Sequence, residues 1–149
     1  DDEWFVKKLE IQINFMESNN VDFTCSPYVR TKGTENKRIT PRKTIAYSDL
    51  LEFNDIPLLT TVILKNNNIR FHSMRHEDYK LWLQILKETK MCYSVYNEPL
   101  ARYNVTPQSI TSNKVKSFIW HVRVLLSEDL SFSRITLNVF KYVMYQLKK

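Results

Sequence analysis

The chain has 149 residues, a formal net charge of +6 and a hydrophobic content of 43%. This length and composition predict a folded domain with a real core and exclude a disordered chain. The positive charge favours an anionic partner, such as a nucleotide, a membrane surface or a nucleic acid, and does not choose among them.

Glycine and cysteine are both scarce in the chain. Gly33 is its only glycine, which excludes glycine-rich phosphate loops because those need several glycines for close backbone approach. Cys25 and Cys92 lie far apart in apolar surroundings, so we expect buried thiols and no disulfide framework. No apolar run is long enough to span a bilayer. The chain opens on two aspartates without a starting Met, and we expect it to be a fragment.

The first half of the chain alternates between helix and strand signals. Residues 1–19 predict a loop end followed by a helix with apolar side chains on two sides, and such a helix is expected to be largely buried. Residues 21–25 predict a short strand, which Pro27 and Tyr28 continue at a sheet edge.

A polar segment then separates this strand from the next elements. Residues 31–43 are polar and basic without an apolar period, which predicts a loop. Ser48 is the predicted N-cap of a short helical turn over residues 49–53. Residues 57–64 are rich in Leu, Thr, Val and Ile and predict a buried strand.

The chain is organised around an amphipathic helix over residues 75–86. Asp78 lies at its start, where exposed amides and the helix dipole stabilise a carboxylate. Its predicted apolar face consists of Tyr79, Trp82, Leu83, Ile85 and Leu86. This face would anchor the helix to a core and hold the acidic end rigidly.

The second half predicts strands followed by two helices. The expected elements are a strand at 91–96, a turn at 97–99, an extended segment at 100–103, a loop at 106–113, and helices within 114–149 broken near 127–133. Alternating helices and strands favour an α/β fold with a mixed sheet flanked by helices.

Two acidic clusters are the candidates for chemistry. Asp1 and Asp2 form one, and Glu77 and Asp78 form the other. One cluster could hold a divalent cation through carboxylate oxygens, and the other could supply a base that deprotonates a hydroxyl group. Two capped helix starts would fit the same residues.

Other kinds of site have weaker support. His72 and His76 have a zinc-like spacing without a third ligand nearby, which disfavours a zinc site. Asp78 could act in glycoside hydrolysis, but the sequence identifies no partner carboxylate. Three aromatic residues could stack on a sugar ring, namely Tyr28, Trp82 and Trp120, although Trp82 also fits the core.

Four segments, in order, resemble family 2 glycosyltransferases. Residues 1–4 (Asp-Asp-x-Trp) and 8–13 (Lys-Leu-Glu-x-Gln-Ile) resemble the segment that follows the Asp-x-Asp motif. Residues 77–83 (Glu-Asp-Tyr-x-Leu-Trp-Leu) resemble the Glu-Asp motif of that family. Residues 97–103 resemble its next strand, and residues 109–112 (Ser-x-x-Ser) resemble the loop beyond.

The resemblance implies a partial GT-A fold that transfers a sugar from a nucleotide-sugar, most often a UDP-sugar, to an acceptor hydroxyl with inversion. Asp1 and Asp2 would then contact Mn²⁺ or Mg²⁺, and Asp78 would be the catalytic base. Glu77 and His76 would shape the site. The remaining substrate-binding candidates are Arg102, Tyr103 and Trp82, with Arg102 a substitute for the Arg that the family often has where Asn104 stands.

The resemblance also implies an organisation and a setting. Residues 1–113 would be the acceptor-side part of a GT-A domain that lacks its nucleotide-binding half, so this chain alone is expected to be inactive. Residues 114–149 would be a helical extension that packs on the domain, joins a homodimer, or contacts the inner face of the cytoplasmic membrane. The acceptor would be a saccharide or lipid-linked saccharide of bacterial surface polysaccharide synthesis. The alternatives are a structural fragment or a non-catalytic module that binds anions or nucleic acid. If the chain is a glycosyltransferase, we expect no nucleic-acid partner.

Overall fold

The computed structural model of the chain describes residues 2–65, 69–71, 73, 75–95, 98–106 and 114–147. Its strands are β1 (Glu3–Trp4), β2 (Phe23–Cys25), β3 (Tyr28–Lys32), β4 (Glu35–Ile39), β5 (Thr44–Ala46), β6 (Val62–Ile63), β7 (Met91–Ser94) and β8 (Ala101–Asn104). Its helices are α1 (Lys8–Asn19), α2 (Tyr47–Glu52), α3 (Glu77–Thr89), α4 (Lys114–Leu126) and α5 (Phe132–Leu147), with a 3₁₀ turn at Leu58–Thr60. The predicted α/β class is confirmed.

Within the described residues the strands form two mixed sheets. Their strand orders are β1-β8-β3-β4 and β5-β7-β2-β6, and each contains one parallel pair, β3 with β8 and β2 with β7. The sheets are linked by backbone hydrogen bonds just beyond these pairs, from the Val95 amide to the Cys25 carbonyl (2.8 Å) and from the Leu100 amide to the Pro27 carbonyl (3.0 Å). These two bonds continue the parallel pairing beyond the ends of the strands.

The core lies between β2, β5, β7 and the buried faces of the helices. The five apolar residues predicted for the organising helix are all buried in α3. Val124 and Leu125 of α4 belong to the same hydrophobic cluster, and Ile135 and Val139 of α5 pack against it. The two carboxy-terminal helices therefore share the core of the rest of the chain.

Several predicted elements are confirmed, and one loop is corrected. The predicted helical pieces after residue 114 and the two buried cysteines are observed. The loop predicted over residues 31–43 is wrong in large part, because β3 and β4 pair there as an antiparallel hairpin. Gly33 turns this hairpin with a φ of 60°, a backbone conformation that side chains other than glycine rarely adopt. Because these strands are mostly exposed and lack an apolar period, the sequence pattern does not indicate them.

The prediction that α1 is largely buried is also wrong. Its fully buried residues are Lys8 and Gln12, whereas Leu9, Ile11 and Ile13 are exposed. The Gln12 side-chain amide donates to the Thr60 carbonyl (2.9 Å) and to the Thr24 hydroxyl (3.2 Å). Polar groups can be buried when they are hydrogen-bonded in this way.

Two smaller predictions are corrected in the segment that precedes α3. The N-cap of α2 is Ala46 and not Ser48, and the Asp49 carboxylate accepts a hydrogen bond from the Ala46 amide (2.9 Å). The predicted buried strand over residues 57–64 is a 3₁₀ turn followed by the short β6, with Leu58 and Leu64 exposed.

Candidate functional site

The start of α3 presents Asp78 from a rigid support. His76 is the N-cap residue and has left-handed backbone angles (φ 59°, ψ 40°), which are strained for a residue with a side chain and are frequent at functional sites. Tyr79 is buried, and its hydroxyl donates to the Leu50 carbonyl (2.9 Å). Tyr79, the residue that follows Asp78, thus fixes the start of the helix to the core.

Asp78 lies on the wall of a cavity of about 290 Å³. Its Oδ1 accepts a hydrogen bond from the Tyr79 amide (2.8 Å). Burial raises the pKa of the Asp78 carboxyl above its ordinary value, while that hydrogen bond and nearby His76 partly oppose the effect. A partly buried carboxylate with a raised pKa is a stronger proton acceptor than an exposed one.

The cavity combines polar and aromatic walls, as small-molecule sites do. It is lined by polar residues from separate parts of the chain, namely Asn54, Asp55, His76, Asp78, His121 and Gln146. Its aromatic residues are Tyr28, Phe53, Tyr142 and Tyr145. Its volume lies just below the range of roughly 300–1,000 Å³ for ligand pockets, so it can take only a small ligand or a part of a larger one.

The carboxy-terminal helices contribute residues that the sequence analysis did not identify. His121 comes from α4, and Tyr142, Tyr145 and Gln146 come from α5. The available signals were a histidine within an otherwise apolar helix face and two tyrosines three residues apart, which share a helix face. Both signals are also compatible with ordinary core packing, so the sequence could not assign them to the site.

His76, which lines the cavity, contacts Trp120 of α4. Their rings meet edge to face at 5.3 Å, and the Arg75 guanidinium lies 5.9 Å from the centre of the Trp120 ring. Burial lowers the pKa of His76, against the opposing effect of Asp78 and Glu77. His76 is therefore neutral at pH 7 and can donate one hydrogen bond and accept another.

Phe53, at the end of α2, and Tyr145 of α5 both line the cavity and join these two helices. Their rings are stacked, with centroids 3.8 Å apart and an angle of 6° between planes. The Arg42 guanidinium lies over Phe53 (4.6 Å) and is held by the Asp55 carboxylate (3.2 Å). This stack fixes α5 against the segment that precedes α3.

A buried carboxylate anchors the end of α4 to α3. Glu128 accepts hydrogen bonds from the Lys80 ammonium (2.6 Å), the Lys87 ammonium (2.7 Å) and the Tyr47 hydroxyl (2.6 Å). Although burial raises the pKa of Glu128, the bonds from Lys80, Lys87 and Tyr47 outweigh it and keep the pKa below its ordinary value. The carboxylate is therefore charged at neutral pH and ties three elements together.

The structure places the other predicted site residues away from the cavity wall. Glu77 is exposed. Trp82 is 3% exposed and packs on Phe23 at 5.5 Å, so it contributes to the core. Arg102 pairs with Glu3 (3.0 Å), and Tyr103 meets Tyr28 edge to face at 6.4 Å. Of these residues, Tyr103 alone is in ring contact with a cavity-lining residue.

The amino-terminal acids are only partly within the described residues. Asp1 lies outside them, as do His72 and Asn97. Asp2 is exposed, and its Oδ1 accepts a hydrogen bond from the Asn104 amide (3.1 Å). Among the residues that the structure describes, no three His, Cys, Asp or Glu side chains form a group that could hold a metal ion.

Comparison with known proteins identifies relatives of one kind. An uncharacterized glycosyltransferase of Haemophilus influenzae is 32% identical over 142 residues, which cover 93% of this chain and 54% of that protein. The UDP-Glc:alpha-D-GlcNAc-diphosphoundecaprenol beta-1,3-glucosyltransferase WfgD of Escherichia coli is 35% identical over 120 residues, covering 78% of this chain and 47% of that protein. A second Escherichia coli protein with the same description, WfaP, is 30% identical over 152 residues, covering 100% and 60%.

The extent of these matches defines what they establish. No protein-family model matches the chain. The chain spans about half the length of the curated relatives it matches. It is therefore related, over most or all of its residues, to bacterial glycosyltransferases.

Proposed function

We propose that this chain is the acceptor-side part of an inverting, metal-dependent family 2 glycosyltransferase with a GT-A fold, and that Asp78 is its base. The observation that carries the proposal is the position of Asp78 on the cavity wall, at the start of a helix whose buried face fixes it. The sequence relationship to glycosyltransferases supports the same reaction class.

The proposed reaction is a displacement at the anomeric carbon of the donor sugar. Asp78 accepts the proton of an acceptor hydroxyl, whose oxygen forms a new bond to that carbon on the face opposite the diphosphate. The bond to the diphosphate breaks, and the diphosphate leaves with the electron pair. Because one displacement occurs, the configuration at the anomeric carbon is inverted. Burial of Asp78 assists the step, since its raised pKa favours proton acceptance.

The substrates are proposed from the chemistry of the relatives. The two Escherichia coli relatives are described as using UDP-Glc and an alpha-D-GlcNAc-diphosphoundecaprenol acceptor. We therefore propose a UDP-sugar donor and a lipid-linked saccharide acceptor, in surface polysaccharide synthesis. The cavity beside Asp78 would take the terminal sugar of the acceptor.

A divalent cation is part of this proposal. Hard cations such as Mn²⁺ and Mg²⁺ bind carboxylate oxygens, and the exposed carboxylate of Asp2 fits that ligand chemistry. Asp1 and Asp2 would hold the ion, which when bound offsets negative charge on the departing diphosphate.

A transfer assay tests the proposal directly. The complete gene product is incubated with labelled UDP-Glc and a short-chain α-GlcNAc-diphosphate lipid, with Mn²⁺ or Mg²⁺ or with EDTA. We expect a β-linked disaccharide lipid, and a loss of at least about tenfold on removal of the metal. Product with retained configuration would refute the inverting mechanism, and full activity in EDTA would refute the metal. Other UDP-sugars and saccharide acceptors are assayed in parallel, and no transfer to any acceptor would refute the function.

The proposal includes contact with a membrane surface, which an exposed apolar stripe on α5 favours. No helix among the described residues has the length and apolar character needed to cross a bilayer. On α5, an exposed apolar stripe is formed by Leu137, Phe140, Met144 and Leu147. With 3.6 residues per turn, this stripe lies on the side opposite Tyr142 and Gln146, which face the cavity. A peripheral protein at the inner face of the cytoplasmic membrane could then reach a lipid-linked sugar about one helix diameter, roughly 10 Å, from the surface.

Vesicle binding tests the membrane contact. Phe140 and Leu147 are 61% and 75% exposed, and we expect their joint replacement by Glu to weaken binding to phosphatidylcholine–phosphatidylglycerol vesicles by roughly 10- to 100-fold. The matched control replaces Val6 and Leu64, which are also exposed, by Glu. Co-sedimentation measures the bound fraction. Equal loss in both double variants, or in neither, would rule out a role for the α5 stripe.

A further inference from the structure

His121 is held in a fixed orientation within the cavity wall. Its side chain is buried, with the residue 2% exposed. The imidazole lies between two tyrosine rings, with Tyr79 at 5.3 Å and an interplanar angle of 5°, and with Tyr142 at 4.2 Å and 23°. Since Tyr79 is anchored through its hydroxyl to the Leu50 carbonyl, the ring cannot turn without disturbing packed neighbours.

One nitrogen of this ring has an unused hydrogen-bonding capacity. His121 Nε2 is buried and has no hydrogen-bond partner among the residues that the structure describes. Buried polar atoms are rarely left in this state, because the lost hydrogen bond to water is not replaced. An unpaired nitrogen in a residue that lines a cavity is instead expected to bond a ligand there.

The charge state of the ring restricts the kind of ligand. Burial, reinforced by the nearby His76, lowers the pKa of His121 to about 4. At neutral pH the ring is uncharged, with one N–H donor and one acceptor nitrogen. A phosphate would be better held by a cation such as Arg or Lys. A sugar hydroxyl both donates and accepts, and it matches a neutral imidazole in either tautomer.

The position of His121 relates it to the reacting group. It stacks on Tyr79, the residue that follows Asp78, and both His121 and Asp78 line the same cavity. Both residues are therefore available to one sugar in the cavity, which can present one hydroxyl to the Asp78 carboxylate and another to His121.

We propose that His121 binds a non-reacting hydroxyl group of the acceptor saccharide through Nε2 and thereby determines which sugar is accepted. This inference rests on the proposed function, because it assigns the cavity to the acceptor. A site built to pair with a hydroxyl discriminates strongly against a sugar that lacks it, since the protein nitrogen is then left unpaired.

The test compares two substitutions of His121, one that keeps an aromatic ring and one that keeps the capacity to form hydrogen bonds. His121→Phe keeps an aromatic ring between Tyr79 and Tyr142 and removes both nitrogens. His121→Gln loses the ring but places a side-chain amide near the position of Nε2. The probe is methyl N-acetyl-α-D-glucosaminide, with its monodeoxy derivatives, and binding to the complete gene product is measured by ligand-observed NMR. Thermal melting checks that each variant is folded.

We expect His121→Phe to weaken binding of the parent sugar by about 5- to 30-fold, the effect of losing one buried hydrogen bond. His121→Gln is expected to retain affinity within about threefold. One monodeoxy sugar should bind weakly to the unsubstituted protein and lose nothing further on His121→Phe. The part of this comparison that is made on the unsubstituted protein needs no variant, so the proposal can still be overturned if a substitution prevents folding.

The outcomes separate this inference from the function on which it rests. If the unsubstituted protein binds the parent sugar and His121→Phe binds it equally well, His121 has no role in recognition, while the transferase proposal is unaffected. If no monodeoxy sugar binds more weakly than the parent, the inference is likewise overturned. Absence of any saccharide binding to the unsubstituted protein would overturn both.

Discussion

Replacement of Asp78 by Asn is expected to lower the rate of sugar transfer by roughly 10²- to 10⁴-fold, the usual contribution of a general base. Asn has nearly the same shape, and its carbonyl can accept the hydrogen bond that Asp78 accepts from the Tyr79 amide. The acceptor should therefore still bind, so that kcat falls while the KM for the acceptor changes little. Steady-state transfer kinetics with the complete gene product measure both quantities.

Glu77→Gln is the matched control for this substitution. It makes the same change of charge at the adjacent residue, which is exposed and lies off the cavity wall. We expect its rate to stay within about threefold of the unsubstituted enzyme. A large loss in Glu77→Gln together with an active Asp78→Asn would mean that Glu77, and not Asp78, is the base.

The raised pKa of Asp78 also predicts the pH dependence of activity. The base must be ionised, so kcat/KM should fall as the pH decreases through the pKa of Asp78. Because burial raises that pKa above the ordinary value of 3.8, the acidic limb is expected at a higher pH than for an exposed Asp. A limb at or below the ordinary value would show that the group controlling activity is another carboxylate.

The substitution Asp78→Asn should also stabilise the fold at neutral pH. A raised folded-state pKa means that the folded protein binds more protons than the unfolded chain between the ordinary and the raised value. Stability therefore falls as the pH rises through that interval. Asn cannot ionise, so Asp78→Asn should have a higher Tm at pH 7 than the unsubstituted protein. A lower Tm would contradict the desolvation of Asp78.

Replacement of Glu128 by Gln is expected to cause the largest loss of stability, roughly 2–3 kcal/mol. A fully buried ion pair that loses one partner costs about 3–5 kcal/mol, but Lys80 and especially Lys87 retain access to water, which reduces the penalty. Urea denaturation measures the free energy of unfolding. Asp129→Asn, at the exposed neighbouring residue, is the control and should change it by less than about 0.5 kcal/mol.

Loss of this anchor should also affect the acceptor cavity. Glu128 connects the end of α4 to Lys80 and Lys87 of α3 and to Tyr47 of α2, and α4 supplies His121. We expect Glu128→Gln to weaken binding of the N-acetylglucosaminide probe in addition to lowering the free energy of unfolding. Unchanged stability in Glu128→Gln would mean that the carboxylate does not fasten the carboxy-terminal helices.

The pH dependence of this contribution has the opposite sign to that of Asp78. The pKa of Glu128 is lower in the folded protein than its ordinary value of 4.5. Its contribution to stability is thus fully present above that value and is lost as the pH falls through the folded-state pKa. Comparing Glu128→Gln with the unsubstituted protein across the acidic range checks this, because the difference between them should shrink as the pH falls.

Features that depend on the chemistry of neighbouring residues can be predicted from the amino-acid sequence. The spacing of Tyr79, Trp82 and Leu86 predicts the buried face of α3, and that face places Asp78 at a fixed helix start. The resemblance over residues 77–83 suggests the role of that carboxylate, and the curated relatives are described as glycosyltransferases. Local signals also gave the two carboxy-terminal helices, because apolar periodicity is a property of neighbouring residues.

The contribution of those helices to the cavity depends on how the folded chain packs. His121 and Tyr142 follow Asp78 by more than forty residues, and no local rule brings them to the same cavity. The β3–β4 hairpin and the burial of Gln12 were not predicted for a related reason. Gln12 is hydrogen-bonded to Thr60, which is distant in sequence. The strand β3 is hydrogen-bonded to β4, a polar strand without an apolar pattern. Burial and hydrogen bonding depend on which segments meet in space, and the sequence pattern of one segment does not contain that information.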